Sequence, residues 1–541
     1  MRGLASTIRR GIRKKPRAWR ARMRLRPVAI TTGGERLAWR GETRRGRGTG
    51  FGAIATLFAR FAPLSRFAGL ASALPCTRHV PLNHRSSITR RAAIAIAALL
   101  LLAGNARAQT TAIVTPPPNV LLPNANGVPP GQTANLEGGA YVARADDSSS
   151  NWYNPAGLAR ASTSSVSATG GAYQGTTVKM SAFPDAGGSF THLPAVVGAV
   201  FKPQKGASAW TYGFSVIQSN TWDNAIATQL VTSQAPAQER FGYTAASQFS
   251  RIQGSLAAAH DSSGWRYGFA LAAEFTSLEK DQTASDSLQT PTGLGSFVGS
   301  SHFTGDATHL RLSAGVQRDL TKEWKLGATV RLPGVSIYSA GVATIDGVAA
   351  ARSQNGSVSL FAPDARFQYK VPLQAAVGLA YVRPRFEAEI AVRASASQSS
   401  YSLFSSDASF TTVTDDGRGG PPVTQVRPWP GLTSYPRGFA DAAVGGHFVL
   451  TDNAVWKLHF GYATNRAPIT DQDQVFNAVN LHAITVGLGG QLKHFQASLG
   501  LRYEFGTSAD TVIHELPNGQ PVTTNFSVRN IGAIYSFAYL F

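Results

Sequence analysis

The chain has 541 residues, with 51 Lys and Arg against 30 Asp and Glu, for a formal charge of +21. Such an excess suggests nucleic acid or a membrane surface, but residues 1–108 alone hold 23 basic side chains against Glu35 and Glu42, so the rest of the chain is neutral. The single cysteine, Cys76, lies in the same stretch, which excludes disulfides and thiolate metal sites from everything after it.

In chain order, residues 1–80 are Arg-rich and show no sustained periodicity, with RRGIRKKPRAWRARMRLR at 9–26. A basic nucleic-acid arm or a transit peptide is one reading. A mis-assigned start is the favoured one, because initiation near Val80 would leave an ordinary export signal at 81–108. That signal consists of Arg90-Arg91, the apolar run Ala92–Ala103 and the small-x-small site Ala106-Arg107-Ala108. Cleavage after Ala108 would leave Gln109 as the first mature residue. The apolar run is shorter than the ~20 residues a spanning helix needs.

Residues 109–160 do not alternate. The Pro-rich lead, 109–137, is expected to hang free in the periplasm. Residues 138–163 carry Tyr141, Trp152, Tyr153 and Leu158 and are expected to bury as a small hatch in a lumen.

From residue 164 onward, segments of roughly ten residues alternate apolar with polar or small side chains. The pattern predicts strands over 164–173, 195–202, 210–218, 248–260, 265–276, 308–318, 324–332, 335–345, 357–368, 373–382, 385–394, 438–449, 454–464, 483–492, 495–506 and 526–541. In Trp324–Leu332 the apolar Trp324, Leu326, Ala328, Val330 and Leu332 oppose Lys325, Gly327, Thr329 and Arg331. A soluble sandwich would also alternate. Charged residues in mid-strand and aromatics at strand ends (Trp210, Trp265, Trp324, Trp456, Phe275, Phe505) favour a membrane wall with a polar interior. Strands exposed to lipid must pair on both edges and therefore close. The expected fold is all-β: a transmembrane antiparallel β-barrel of about fourteen strands with an N-terminal hatch. The polar stretches 277–307 and 395–437 read as long external loops. The last segment alternates Ile531, Ala533, Tyr535, Phe537, Tyr539 and Phe541, and a terminal strand ending on an aromatic resembles the signal read by the barrel-assembly machinery.

Ala145-Asp146-Asp147-Ser148-Ser149-Ser150 followed by Asn154-Pro155-Ala156-Gly157-Leu158 resembles the N-terminal signature of the long-chain fatty-acid and aromatic-hydrocarbon outer-membrane transporters, the FadL/TodX type. Val371–Tyr381 and Trp456–Ile469 are similar to later strands of that family, more loosely. The resemblance implies a monomeric plugged barrel in outer-membrane lipid. It would capture hydrophobic small molecules from outside and release them sideways through the wall or past the hatch. It also implies that Asn154, Pro155 and Ala156 lie beside the ligand. Read from the residues alone, the turn is rigid, since Pro155 fixes φ and Asn154 closes a side-chain turn, and such a turn is more often structural than ligand-touching. Asp146 and Asp147 have two readings, as cap or loop residues or as partners of inward Arg331 or Arg502. The Pro-rich lead is longer than the family pattern.

No Gly-x-Ser-x-Gly, His-Glu-x-x-His or phosphate loop is present, and His514-Glu515 lacks a second histidine. The expectation is a transporter rather than an enzyme, with no cofactor, no metal and no nucleic-acid partner. An aromatic-hydrocarbon channel, a diffusion porin and an outer-membrane lipid hydrolase are the alternatives, in that order. Fatty acid leads, and the sequence does not choose which inward Arg or Lys would meet its carboxylate.

Overall fold

The computed structural model describes residues 121–541 apart from 125–128, 182–187, 204–209, 235–236, 292, 352–353, 416, 418, 452–454 and 516–520. The basic extension and the export signal with Ala108 and Gln109 lie outside the described residues. Among the described residues no helix is long and apolar enough to cross a membrane.

The chain forms one antiparallel sheet closed on itself as a barrel of fourteen wall strands. The first part of the wall comprises β1 (Ser165–Met180), β2 (Gly188–Phe201), β3 (Trp210–Gln234), β4 (Ala237–Ser262), β5 (Trp265–Thr290) and β6 (Gly293–Asp319). Next come β7 (Trp324–Arg331), β8 (Val335–Ala351), β9 (Gln354–Phe367), β10 (Gln374–Arg383) and β11 (Phe386–Ser395). Four short strands, β12 (Tyr401–Ser405), β13 (Ser409–Asp415), β14 (Val423–Pro428) and β15 (Leu432–Ser434), extend the sheet at one end. The wall resumes with β16 (Phe439–Val449), β17 (Trp456–Asn465), β18 (Val479–Leu492) and β19 (Phe495–Ser508). After the small hairpin β20 (Thr511–Glu515) and β21 (Pro521–Thr524), β22 (Phe526–Leu540) pairs with β1 and closes the ring. Phe541 follows directly, and its N–H donates to the Ser164 carbonyl at 3.0 Å.

The sixteen expected segments reduce to fourteen wall strands for a physical reason. β7 and β8 run end to end along β6, and β10 and β9 run end to end beside them. Pro333-Gly334 interrupts the first pair, and residues 368–373, which include Pro372, interrupt the second. Proline has no N–H to give a ladder. Arg311 of β6 ties the two breaks together. Its Nε donates to the Leu332 carbonyl at 3.0 Å and its Nη2 to the Pro372 carbonyl at 3.0 Å and Gln374 Oε1 at 3.0 Å.

The outward face explains both what alternates and where alternation ends. On β5, Tyr267, Phe269 and Phe275 are exposed, while Gly268, Ala270, Ala272 and Glu274 face inward. Trp265 and Phe275 are about ten residues apart. That is about 33 Å of strand, or about 25 Å along the axis at a tilt near 40°, which matches the height of a lipid-facing belt. Beyond Phe275 the outward residues are Ser277, Glu279 and Asp281, and the strand continues to Thr290. Residues 277–307, expected as a loop, are therefore mostly paired strand: Ser277 pairs with Asp306, and the ladder runs on to Thr290 and Gly293. Outside the lipid belt the outer face is polar, so the period that marks a membrane strand is lost while the ladder persists. Residues 395–437 likewise contain β12–β15. At the opposite end the turns are short, as at Ser263-Gly264, where both residues have positive φ (52° and 81°), the geometry of a two-residue primed turn.

Candidate functional site

Residues 129–163 lie inside the barrel. They contain a short helix, α1 (Ser150–Tyr153), and a 3-10 turn, Pro155–Arg160. Their contacts run around the inner wall. Ser148 meets Ser167 at 2.7 Å, Asn151 Nδ2 donates to Ser215 Oγ at 3.1 Å, Gln317 Nε2 donates to the Val142 carbonyl at 3.0 Å, and Thr485 Oγ1 donates to the Leu136 carbonyl at 2.8 Å.

What allows a peptide to lie this close to a wall is a series of cross-strand glycine pairs on the inner face. Gly268 pairs with Gly315, Gly327 with Gly378, Gly445 with Gly461 and Gly487 with Gly500. A Cβ at Gly268 or Gly315 would run into Asn154, Pro155 or Ala156, well inside the 3.0 Å that real Cβ atoms keep. At Gly327 and Gly378 it would meet Val142 and Ala143, at Gly445 and Gly461 it would meet Glu137 and Gly138, and at Gly487 and Gly500 it would meet Leu136. The pairing of these glycines across the ladder was not read from sequence. The available signal was a glycine recurring on the polar face of neighbouring strands.

Two buried ionic centres anchor the segment. Glu389 of β11 accepts the backbone N–H groups of Val142 (2.5 Å), Ala143 (3.0 Å) and Arg144 (3.1 Å), and Arg144 Nε lies 3.3 Å from its second oxygen. Glu137 is enclosed by Arg144 on one oxygen and by His447 and His459, each with Nδ1 at 2.9 Å from the other oxygen. Burial pushes the Glu137 carboxyl up, but the Arg144 guanidinium and the two imidazoles outweigh it and hold the group well below the usual carboxylate range. His459 is buried on the inner face of β17. Its partner lies 322 positions away, beyond the reach of a sequence pattern.

The other expected site residues make contacts within the segment and to the wall. Asn154 caps the 3-10 turn by accepting from the Ala156 N–H at 3.2 Å, and its Nδ2 donates to the Val142 and Val316 carbonyls, both at 3.0 Å. Pro155 sits at the first position of that turn. Asp146 accepts from the Tyr141 hydroxyl at 2.5 Å. Asp147 closes a local turn by accepting from the Ser149 N–H at 2.8 Å. Burial, with the Asp146 charge beside it, pushes the Asp147 carboxyl up to about 6 against the opposing Ser149 bonds. The expected pairing of these aspartates with Arg331 or Arg502 is not what forms. Arg331 stacks over the Trp152 ring at 4.1 Å, and Arg502 pairs with Glu504 at 3.0 Å.

The free-hanging lead also needs correction over the described part. Leu121 and Leu122 are buried, Asn124 Nδ2 donates to the Asn465 and Val479 carbonyls, and the Asn477 N–H donates to the Leu121 carbonyl at 3.0 Å. The two leucines join a large apolar cluster on the inner face of the long-strand end. It includes Trp222, Phe249, Phe303, Phe367, Phe404, Trp429 and Phe476. Towards the N-terminal segment the lining becomes cationic. Arg331 has Arg311 and Arg393 within electrostatic reach. A cavity of about 30 Å³ is lined by Val142, Tyr153, Arg331, Gln374, Arg393 and Ser395 among others. Arg251 pairs with Glu274, and Asp441 is near Arg393. Among the described residues just named, four guanidiniums stand with two carboxylates, and Glu274 also lies 3.7 Å from Arg311.

The class of protein so defined is a lipid-facing barrel with an internal N-terminal segment, an apolar inner cluster at one end and guanidiniums below it. Among solved structures, the chain is similar to the toluene transporter TodX of Pseudomonas putida, with 14% identity, coverage of 77% of this chain and 99% of that one, and a TM-score of 0.47. It is similar to a FadL homologue of Pseudomonas aeruginosa (14% identity, 79% and 100% coverage, TM-score 0.49) and to the toluene transporter TbuX of Ralstonia pickettii (12%, 77% and 99%, 0.45). No family model and no curated protein matches the chain.

Proposed function

We propose that the chain is an outer-membrane uptake channel for hydrophobic compounds, a member of the FadL/TodX-type family, and that its cargo is a long-chain carboxylic acid. The observation that carries this is the order of linings: a large apolar inner cluster followed, deeper in, by Arg311, Arg331 and Arg393. An amphiphile with an acid head matches that order, because a buried carboxylate is stabilised by guanidinium forks. A neutral aromatic hydrocarbon would use only the first lining, and it remains the second reading through the apolar cluster.

In this reading the export signal at 81–108 is removed after Ala108, Phe541 marks the last strand for the assembly machinery, and the barrel works as a monomer in outer-membrane lipid. Residues 138–163 act as the hatch, with Asn154, Pro155 and Ala156 holding its turn and Asp146 and Asp147 its approach. Leu121 and Leu122 occupy the place of an apolar ligand tail. A diffusion porin would need an open lumen, which the packed N-terminal segment argues against. No hydrolytic constellation forms part of the proposal.

The test is growth of a deletion strain. Loss of growth on long-chain fatty acids, with growth on sugars intact, is expected. A large, steady single-channel conductance of the purified barrel in planar bilayers would refute a hatched transporter. Loss of aromatic-hydrocarbon uptake alone would move the cargo to the second reading.

A further inference from the structure

We propose that Glu137, His447 and His459 form a binding site for a divalent first-row transition metal, Zn²⁺ foremost, that fastens the N-terminal segment to the barrel wall. This goes beyond the transport reading and stands whether or not the cargo is a fatty acid. It also departs from the expectation, from sequence, of a metal-free chain. His447 and His459 are direct cross-strand partners on β16 and β17, so their side chains leave the sheet on the same inward face. The third donor comes from the N-terminal segment, brought against the wall by Gly445 and Gly461, whose Cβ positions the Glu137 backbone fills. All three side chains are buried, and their donor atoms all lie within 4.8 Å of one another.

The donor set and its surroundings favour a metal over a purely hydrogen-bonded latch. Two imidazoles and one carboxylate are a common catalytic and regulatory zinc set and bind Mg²⁺ or Ca²⁺ poorly. Both Nδ1–Oε1 separations are 2.9 Å. A tetrahedral ion with bonds near 2.0–2.1 Å spaces its ligands at about 3.3 Å, so the carboxylate oxygen has only to back away slightly as the ion replaces the two bridging protons. Each imidazole would then bind through Nδ1 with its remaining proton on Nε2, and the site gains the positive charge of the ion. Arg144 holds the other Glu137 oxygen, which leaves Oε1 as a single donor and fixes the carboxylate's orientation, as the outer partners of metal carboxylates do. Buried with the trio are Glu389 and Arg144, so two buried carboxylates face one buried cation. Glu387 and Lys457 stand at the half-exposed edge and offset each other. An added dication therefore meets net negative charge rather than repulsion. The fourth position is left to water.

The experiment uses the folded full chain purified in detergent, equilibrated with Zn²⁺ and gel-filtered, with bound metal counted by elemental mass spectrometry. Co²⁺ is the spectroscopic probe. The expected result is one tightly held Zn²⁺ per chain that H447A, H459A and E137Q each weaken at least tenfold. A tetrahedral Co²⁺ visible spectrum should vanish in the same variants, and H482A, at an outward-facing histidine, should keep both. Heat-modifiable gel mobility establishes that each variant is folded. If the folded wild-type chain retains no more Zn²⁺ than folded H447A/H459A, the trio is a hydrogen-bonded latch only and the proposal fails. Retention of Mg²⁺ or Ca²⁺ in preference to Zn²⁺ would overturn it too.

Discussion

Replacing Glu389 by alanine should release the N-terminal segment without unfolding the wall. Its carboxylate accepts three backbone N–H groups, from Val142, Ala143 and Arg144, and faces the Arg144 guanidinium. All of these groups are buried, and each N–H left unpaired costs about 1–3 kcal/mol. Three of them at the lower end of that range give about 3 kcal/mol. Partial relaxation of the segment opposes the lost guanidinium contact, so about 3–4 kcal/mol of docking free energy is the working figure. At about 1.4 kcal/mol per decade this shifts the docked-to-free ratio by a factor of about 10²–10³. E389Q keeps one acceptor oxygen and should fall between. The assay is limited proteolysis of the folded barrel, with cleavage mapped to residues 129–163 and the wall monitored by heat-modifiable mobility. A cleavage rate in E389A within twofold of wild type, with the wall intact, would refute the assignment of Glu389 as an anchor of the segment.

Other consequences follow from the same packing. G268A and G315A place a methyl against Asn154–Ala156, where backbone as well as side chain must yield, so each should cost docking about 1–3 kcal/mol and raise proteolysis of the same segment. R331Q/R393Q should weaken binding of a long-chain carboxylate about 10–100-fold, the worth of one or two charged hydrogen bonds, and leave binding of a neutral aromatic unchanged when both are measured by calorimetry. Asp147 is pushed from 3.8 up to about 6. Its protonated form is favoured in the docked segment, so docking is strongest below about pH 4, weakens as pH rises to about 6 and is flat above. Proteolysis across pH 4–7 should show that slope in wild type and lose it in D147N. L121S/L122S should strengthen binding of an apolar ligand several-fold if those leucines occupy its place.

The wall was legible from sequence wherever lipid touches it. Tyr267, Phe269 and Phe275 alternate with small or polar residues because one face meets hydrocarbon and the other the lumen. Above Phe275 that contrast disappears. Ser277, Glu279 and Asp281 face out, while Leu278, Lys280 and Gln282 face in, so strand reads as loop even though β5 runs to Thr290. The N-terminal segment was legible as a buried element through Tyr141, Trp152 and Leu158, and the turn at Asn154-Pro155 through its own chemistry. What it touches was not legible. The Glu137–His447 and Glu389–Val142 contacts span 310 and 247 positions, and which inward side chains converge depends on strand register and stagger, which alternation does not encode. The glycine pairs mark the same boundary. Each glycine is a neutral element of one strand's pattern and gains meaning only once its partner across the ladder is known.

The two possible exits for cargo make different demands on this geometry, and the Glu389 variant separates them. Below the apolar cluster and the guanidiniums the lumen is filled by a segment whose polar groups are bonded to the wall on many sides, so passage straight through requires that docking be undone. Passage sideways does not. It needs only a place where the ladder is thin, and the wall has one where Pro333-Gly334 and residues 368–373 interrupt neighbouring strands beside Arg311. If cargo leaves past the segment, lowering the docking free energy by about 3–4 kcal/mol should raise the uptake rate, because opening is then part of the transport step. If cargo leaves through the wall, E389A should leave the initial rate of fatty-acid uptake unchanged while ion leak increases. Uptake and leak measured on the same cells distinguish the two. A rise in leak alone points to the interrupted strands as the exit, and a proportional rise in both points to the segment.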